Sequence, residues 1–334
     1  TEISDLGEFG LIDHIKKSVQ LKNKSSIKGI GDDAAVINNN NLSTVVSTDM
    51  LVEGVHFDLS YTPLRHLGYK AVVVNLSDIY AMNARPKQIT TSIALSNRFS
   101  LEAVEELYSG ITMACEKYGI DLVGGDTTSS KSGLVISVTA IGEAKEEEIV
   151  YRDGAKETDL ICVSGDLGGA FMGLQILERE KRIYIENPGI QPDLSGKDYI
   201  LERQLKPEAR KEIIDKFEVL KVKPTSMIDI SDGLSSEVLH LCTSSGVGCN
   251  IYEDKFPIDH STYDTARELH LDPSVCALNG GEDYELLFTI KLSDYNIIKD
   301  HLDISIIGHI TEKAEGINLI DKSGNVVPLV AQEI

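Results

Sequence analysis

The sequence predicts an α+β protein of two domains, on three observations. The chain has 334 residues, long enough for two substantial cores. Its apolar segments alternate between a two-residue and a 3.6-residue period in an order that mixes strands and helices without strict alternation. That order favours α+β over a doubly wound sheet. A charged stretch without core-forming residues, Glu143 to Glu148, interrupts the pattern near the middle. The boundary is placed there, giving domains over 1–145 and 146–334.

Residues 8–20 carry Leu11, Ile12, Ile15 and Val19 on one side and predict a short amphipathic helix. Asn23 to Lys28 is polar and reads as a loop. Ala34 to Ile37 and Ser43 to Thr48 predict strands joined by the Asn-rich turn 38–41. Pro63 to Ala84 predicts a long helix that begins, as helices tolerate, on proline. Its apolar stripe runs Leu64, Leu67, Ala71, Val74, then Asp78 and Ala81. Lys87 to Leu95 predicts a strand. Leu101 to Tyr118 predicts a helix capped by Ser100 and stopped by Gly119. Strands are expected at 121–123 and 134–143, with a Gly/Thr/Ser loop over 124–132.

In the second half a strand at 160–164 leads through Gly165 to Ala170 into a helix ending near Glu180. Residues 181–200 are polar, contain Pro188 and Pro192, and read as a long loop, a candidate lid. A helix at 207–217, a strand at 226–230 and a helix at 231–245 follow. Strands at 248–252, 284–290, 304–308 and 316–320, with helices at 260–270 and 292–301, complete the chain.

Composition narrows the function classes. The net charge of −21 disfavours nucleic acid and anionic membranes as partners, since both select basic faces. No apolar run approaches the ~20 residues that span a bilayer, and Thr1 to Leu21 has no signal-peptide core. The five cysteines form no C-x-x-C pair and most lie in apolar runs, the pattern of buried free thiols in a reducing cytoplasm. No P-loop, no G-x-G-x-x-G after the first strand, no H-E-x-x-H and no G-x-S-x-G is present.

What recurs is acid beside Gly, Ser, Thr or Asn at the edge of apolar segments: Gly31-Asp32-Asp33, Ser47-Thr48-Asp49, Asn75-Leu76-Ser77-Asp78, Gly124-Gly125-Asp126, Asp229-Ile230-Ser231-Asp232-Gly233 and Gly280-Gly281-Glu282-Asp283. Singly, each reads as a turn or a helix start. Jointly, they predict one site that gathers oxygen ligands for hard divalent cations, Mg²⁺ rather than zinc. Asp78 is the sharpest case. It falls on the apolar face of its helix, where a carboxylate needs a cation or a metal. Arg85, two turns on, is the competing partner. Two or more Mg²⁺ ions would let a nucleotide triphosphate enter a ring of carboxylates, and phosphoryl transfer asks the protein chiefly for positioning and charge neutralisation.

With these motifs in view, the sequence resembles the thiamine-monophosphate kinase family. The blocks that carry the resemblance are Gly-Glu-Phe at 7–9, GIGDDAAV at 29–36, STDMLVEGVHF at 47–57, YKAVVVNLSDIYAM at 69–82, GGDTT at 124–128, YRDGAK at 151–156, IDISDGL at 228–234 and GGEDYEL at 280–286. They run in order from about Gly7 to about Ile320. The resemblance implies a two-domain α+β fold shared with aminoimidazole ribonucleotide synthetase, a homodimer built through the N-terminal sheets, and a cleft between the domains. It implies ATP-dependent phosphorylation of thiamine monophosphate to thiamine diphosphate with several Mg²⁺ ions. Asp33, Ser47, Thr48, Asp49, Asp78, Asp126, Asp229 and Asp232 would hold Mg²⁺. Tyr108, Gly125, Asp126, Arg152 and Ser231 would contact ATP, and His56 and Glu282 the thiamine phosphate. Two departures stand out: the chain has no Trp where family members carry one in an aromatic tail, and Asn83 replaces the Gly that usually follows Ala-Met.

Two other readings differ in what they predict. Within the superfamily, a selenophosphate synthetase would want a reactive N-terminal Cys, whereas the first here is Cys115; the hydrogenase-maturation relative wants a C-terminal Cys, and none follows Cys276. Outside enzymology, the chain would be a nucleotide- and metal-binding protein without turnover.

Overall fold

The structure is a computed structural model that describes residues 24–39 and 41–332, together with Ile12, Lys16, Lys17, Leu21 and Lys22. The helix expected over 8–20 and the Gly-Glu-Phe block therefore lie largely outside the described residues.

The first half builds a six-stranded sheet and two long helices. Its elements are β1 (Ser26–Lys28), β2 (Ala35–Asn38), β3 (Ser43–Val52), α1 (Leu64–Ala81), β4 (Arg85–Leu95), α2 (Leu101–Tyr118), β5 (Asp121–Ser129) and β6 (Leu134–Ala144). The sheet order is β1-β2-β3-β6-β4-β5. All pairs are antiparallel except the last, β4 with β5. Two expectations change here. The polar stretch before Lys28 contains the short β1. The Gly/Thr/Ser run after Val123 stays extended to Ser129, because β4 supplies a parallel ladder that slips by one residue at Val123 and then runs unbroken from Thr90–Gly124 to the Leu95–Ser129 pair. Pattern alone reads such a run as a loop.

The second half builds a seven-stranded sheet. Its strands are β7 (Leu160–Ser164), β8 (Ser226–Asp229), β9 (Gly248–Tyr252), β10 (Leu286–Ile290), β11 (Ile304–Thr311), β12 (Ile317–Ile320) and β13 (Val326–Pro328), in the order β13-β12-β9-β11-β7-β10-β8. Its helices are α3 (Gly169–Glu186), α4 (Asp198–Leu205), α5 (Lys211–Leu220), α6 (Leu234–Ser245), α7 (His260–Glu268), α8 (Pro273–Asn279) and the single turn α9 (Tyr295–Ile298). The stretch expected as a loop over 181–200 is shorter: α3 runs to Glu186 and α4 starts at Asp198, and the intervening chain is tied back where the Asp193 N–H donates to the buried Glu180 carboxylate at 3.0 Å.

Local chemistry accounts for the ends of α2: the Ser100 hydroxyl accepts from the Ala103 N–H at 3.3 Å, and Gly119 takes the left-handed conformation at φ 68°. Asn83 also sits at positive φ, 54°, a conformation that Gly adopts freely and Asn tolerates, so the departure from Gly is accommodated. Its side chain donates to the Glu148 carbonyl at 2.8 Å.

The central element is α1. Its stripe was expected on one face, yet every residue from Leu67 to Ala81 except the half-buried Asp78 is buried. The helix is enclosed because the first sheet, α2 and β8 of the second sheet all pack on it. It meets α2 at a glycine crossing: a Cβ on Gly68 would lie 2.0 Å from the Leu107 carbonyl oxygen, and one on Gly110 would lie 1.9 Å from that of Arg65. The largest buried cluster runs from Val36, Val45 and Leu76 through to Ile213, Phe217 and Phe288, so apolar packing is continuous between the two sheets. That continuity brings acids from both halves to the same place.

Candidate active site

Three strands and a helix aim acids at one point. β3 alternates, so Ser47 and Asp49 face α1 while Thr48 faces away. α1 presents Asn75, Ser77 and Asp78 back to it. The loop into β2 supplies Asp33, and β8 ends on Asp229. One carboxylate oxygen from each of Asp33, Asp78 and Asp229 lies within 4.8 Å of the others. These three residues are far apart in the chain and come from both halves of the fold.

Each acid has its own support. Asp33 is buried, and the Arg152 guanidinium grips it with Nη2 at 2.8 Å and Nε at 3.2 Å. Neighbouring Asp32 goes elsewhere, to Lys28 at 2.9 Å; burial and the Asp33 charge push its carboxyl up, and Lys28 partly offsets this. The Ser47 hydroxyl donates to Asp78. The Ser77 hydroxyl donates to Asp229 at 2.6 Å. The Asn75 side-chain carbonyl accepts the Asp49 N–H at 3.0 Å, fixing the strand beside the helix.

Among the described residues, no Lys, Arg or His forms an ion pair with Asp78. Its competing partner Arg85 instead pairs with Asp215 and with Glu218 at 2.9 Å. Burial, then the charges of Asp229, Asp49 and Asp33, hold the Asp78 carboxyl well above the ordinary carboxylate range. Burial, then Asp33, pushes Asp229 up to about 8. Burial raises Asp49 too, against the stabilising contacts with Asp78 and His56. Such a set holds protons or metal, since uncompensated buried charge is costly. Its donors are all oxygen, the set that suits a hard divalent cation.

The remaining expected residues fall in three groups. Thr48 turns its hydroxyl to the Val138 carbonyl at 3.1 Å, on the opposite face of β3, so the strand's two-residue period keeps that hydroxyl out of the cluster. Ser231 and the exposed Asp232 lie on the loop between β8 and α6, next to Asp229. Tyr108, on α2, packs against the core. Gly125 and Asp126 lie on β5, whose nine residues are all exposed. Since β6 and β4 intervene between β3 and β5, that edge is offset by about 14 Å at ordinary strand spacing, and Asp126 does not join the three converging carboxylates.

His56 and Glu282 flank the cluster. His56 Nδ1 accepts the Val52 N–H at 3.0 Å. Glu282 is held by the buried Lys70 ammonium at 3.0 Å and by the Gln204 amide at 2.8 Å. Gly281, Glu282 and Tyr284 all adopt left-handed backbone, and the Glu282 and Tyr284 N–H groups bond to the Ser231 and Ile230 carbonyls at 2.6 and 2.8 Å. This zips the 281–284 loop onto the loop that follows Asp229. Burial, then the charges of Glu282, Asp229, Asp49 and Asp78, push the Tyr284 phenol up.

Comparison with known proteins follows from this geometry. Residues 31–144 match the family described as AIR synthase related protein, N-terminal domain. The chain is 37% identical over 316 residues to the thiamine-monophosphate kinase of Aquifex aeolicus, covering 94% of each. It is 34% identical over 316 residues to that of Bacillus subtilis, covering 93% of each. This chain belongs to the thiamine-monophosphate kinase family. Among solved structures, AaThiL complexed with AMPPCP and TMP superposes with a TM-score of 0.83 at 35% identity, covering 98% of this chain and 96% of that one. The α+β architecture of two sheets is the one that family shares.

Several supporting residues escaped the sequence reading. Ser77, Lys70, Gln204 and Glu237 all hold an expected site residue in place. Lys70 left a signal, a lone cation inside the apolar run Tyr69 to Val74; Gln204 left none.

Proposed function

We propose that this chain is an ATP-dependent kinase that phosphorylates thiamine monophosphate to thiamine diphosphate, with Mg²⁺ held by Asp33, Asp49, Asp78 and Asp229. The observation that carries the metal assignment is the convergence of three carboxylates within 4.8 Å while Asp78 has no ion-pair partner among the described residues. Family membership supports the reaction and its two substrates, and the solved relative was complexed with AMPPCP and TMP.

The residues divide the work. Arg152 holds Asp33 while Ser47 and Ser77 orient Asp78 and Asp229, so the oxygen set is in place before any ion arrives. Bound Mg²⁺ would cancel the carboxylate charge and make the cleft hospitable to polyphosphate. His56 and the Lys70-held Glu282 stand on the acceptor side, the latter as a hydrogen-bond acceptor whose charge is already paired. An acceptor phosphate with a second pKa near ~6 is mostly dianionic at neutral pH, so an oxygen of that phosphate attacks the γ-phosphorus in line and ADP leaves, with no protein nucleophile or base required.

A second copy of the chain belongs to this reading. β5 is an exposed sheet edge with Leu122 and Val123 open to solvent, and a self-paired N-terminal sheet would cover it. Should Asp126 and Gly125 serve the nucleotide, the offset of β5 from β3 favours their acting at the partner's cluster. The division at residue 145 is likewise proposed, supported by the first sheet ending at Ala144 and the second beginning at Leu160. A cytoplasmic setting is supported by five free, buried cysteines. Among the described residues, no helix is long and apolar enough to cross a membrane.

The test is turnover. Purified protein with ATP, Mg²⁺ and thiamine monophosphate is expected to yield ADP and thiamine diphosphate in equal amounts, and neither when EDTA replaces Mg²⁺. Tight binding of an ATP analogue without product would refute the kinase reading and favour a non-catalytic nucleotide-binding protein.

A further inference from the structure

Glu237 is a buried acid for which the chemistry above has no use. It lies in the first turn of α6, is 2% exposed, and forms no ion pair among the described residues. Its Oε1 accepts the Asp232 N–H at 2.8 Å and the Ser231 N–H at 3.1 Å, with the Ser231 hydroxyl at 3.5 Å. Its Oε2 is buried and has no hydrogen-bond partner among the described residues.

Why a carboxylate sits there follows from how α6 begins. The residue at the cap is Gly233, at φ 117°, where a Cβ would lie 2.8 Å from the Leu278 carbonyl oxygen and 2.9 Å from Asn279 Cα. A cap without a side chain cannot satisfy the first-turn donors. Two consecutive N–H groups that point the same way at a helix start also form an anion-binding concavity. Glu237 reaches back from the helix and fills that concavity from inside, like a capping-box acid displaced toward the preceding loop.

We propose that Glu237 is a positioning residue for the metal-holding loop: by occupying the Ser231 and Asp232 N–H groups it commits the 229–232 loop to binding phosphate through a cation rather than through its own backbone. With those two donors taken, and the Ser231 and Ile230 carbonyls given to the Glu282 and Tyr284 N–H groups, the side-chain oxygens of Asp229, Ser231 and Asp232 remain as the loop's ligands, and Asp229 is held at the end of β8 by the same anchored segment. This rests on the reading that Asp33, Asp78 and Asp229 hold Mg²⁺.

The test compares three variants by calorimetric titration of Mg²⁺ into protein saturated with a non-hydrolysable ATP analogue, with thermal melting in EDTA to establish that each is folded. Glu237→Gln keeps an acceptor oxygen at the same reach and is expected to bind Mg²⁺ within about twofold of the parent chain. Glu237→Asn retracts that oxygen by one methylene, and Glu237→Ala removes it. Both are expected to weaken Mg²⁺ binding roughly 10- to 100-fold, the usual consequence of losing the group that orients a metal ligand. Should the Glu237→Ala variant fail to fold, the comparison of Glu237→Asn with Glu237→Gln decides alone. A lower melting temperature in EDTA with unchanged Mg²⁺ affinity in the Glu237→Asn variant would reduce Glu237 to a helix cap and overturn the proposal. So would a Glu237→Gln variant as weak as Glu237→Asn, since charge and not the acceptor atom would then be at issue. Asp78→Asn runs alongside. Parent-like Mg²⁺ affinity in Asp78→Asn would sink the metal reading itself. Lost affinity in Asp78→Asn beside parent-like affinity in Glu237→Asn would sink only the role given to Glu237.

Discussion

Replacing Asp78 by Asn tests the acid cluster through opposite effects on two states. Asn keeps an oxygen for the Ser47 hydroxyl and nearly the same volume, so the fold is preserved. In the metal-free protein the change removes one of three carboxylates gathered within 4.8 Å. At that distance two full charges repel by about 3 kcal/mol at an effective dielectric of about 20. Because burial and its neighbours hold the Asp78 carboxyl well above the ordinary carboxylate range, that figure is an upper bound, and the relief is roughly 1–3 kcal/mol near pH 8. For a chain of this length that corresponds to a rise in Tm of roughly 1–4 °C in EDTA. With Mg²⁺ and an ATP analogue the order reverses. The parent chain gains about 2.7 kcal/mol at a ligand concentration of 100 Kd, and the variant gains little. Differential scanning calorimetry at pH 8, with EDTA and then with Mg²⁺ plus analogue, reads both signs. A variant less stable than the parent in EDTA, with an undiminished Mg²⁺ increment, would refute both the crowding and the ligation.

Three further outcomes follow from the same geometry. Asp229 has its pKa raised to about 8 in the fold, so between its unfolded value and about 8 the native state binds more protons than the unfolded state. Its contribution is complete below the unfolded value and is lost as pH rises. Metal-free Tm should therefore fall between about pH 5 and pH 8, with an upper bound on the order of 5 kcal/mol, and Mg²⁺ should stabilise more at the higher pH; a metal-free Tm that climbs across that window contradicts it. Arg152→Met strands the buried Asp33 carboxylate and should cost about 3 kcal/mol in urea unfolding without metal, with part recovered by Mg²⁺, whereas a change below about 0.5 kcal/mol would show the pair to be unimportant. Gly110→Ala puts a methyl 1.9 Å from the Arg65 carbonyl oxygen, so α1 and α2 must separate, and the urea midpoint should fall by the equivalent of about 3 kcal/mol; an unchanged midpoint would mean that the crossing is not tight.

Much of this architecture was legible along the chain, since helices and strands with clean periodicity and good caps declare themselves locally. Ser100 and Gly119 bracket α2 in the sequence as they do in space. The acids were legible as a set because each sits beside small or hydroxylic residues, and Asp78 stood out because its face of α1 is apolar. What local pattern could not supply is anything decided by a distant partner. β5 is a strand only because β4 lies alongside it, and α1 is buried all round only because two sheets and α2 enclose it.

The sequence by itself determined which donors this protein can bring to a site: acids set beside hydroxylic neighbours supply oxygen, the kind of ligand that a hard divalent cation takes. The tertiary structure alone decided which acids meet. Asp33, Asp78 and Asp229 converge while Asp126 is carried to an exposed edge and Thr48 turns its hydroxyl away, because strand order and strand period are set by long-range packing. It also assigned the cations, giving Arg152 to Asp33, Lys70 to Glu282 and Arg85 to Asp215, and so left Asp78 without an ion-pair partner among the described residues.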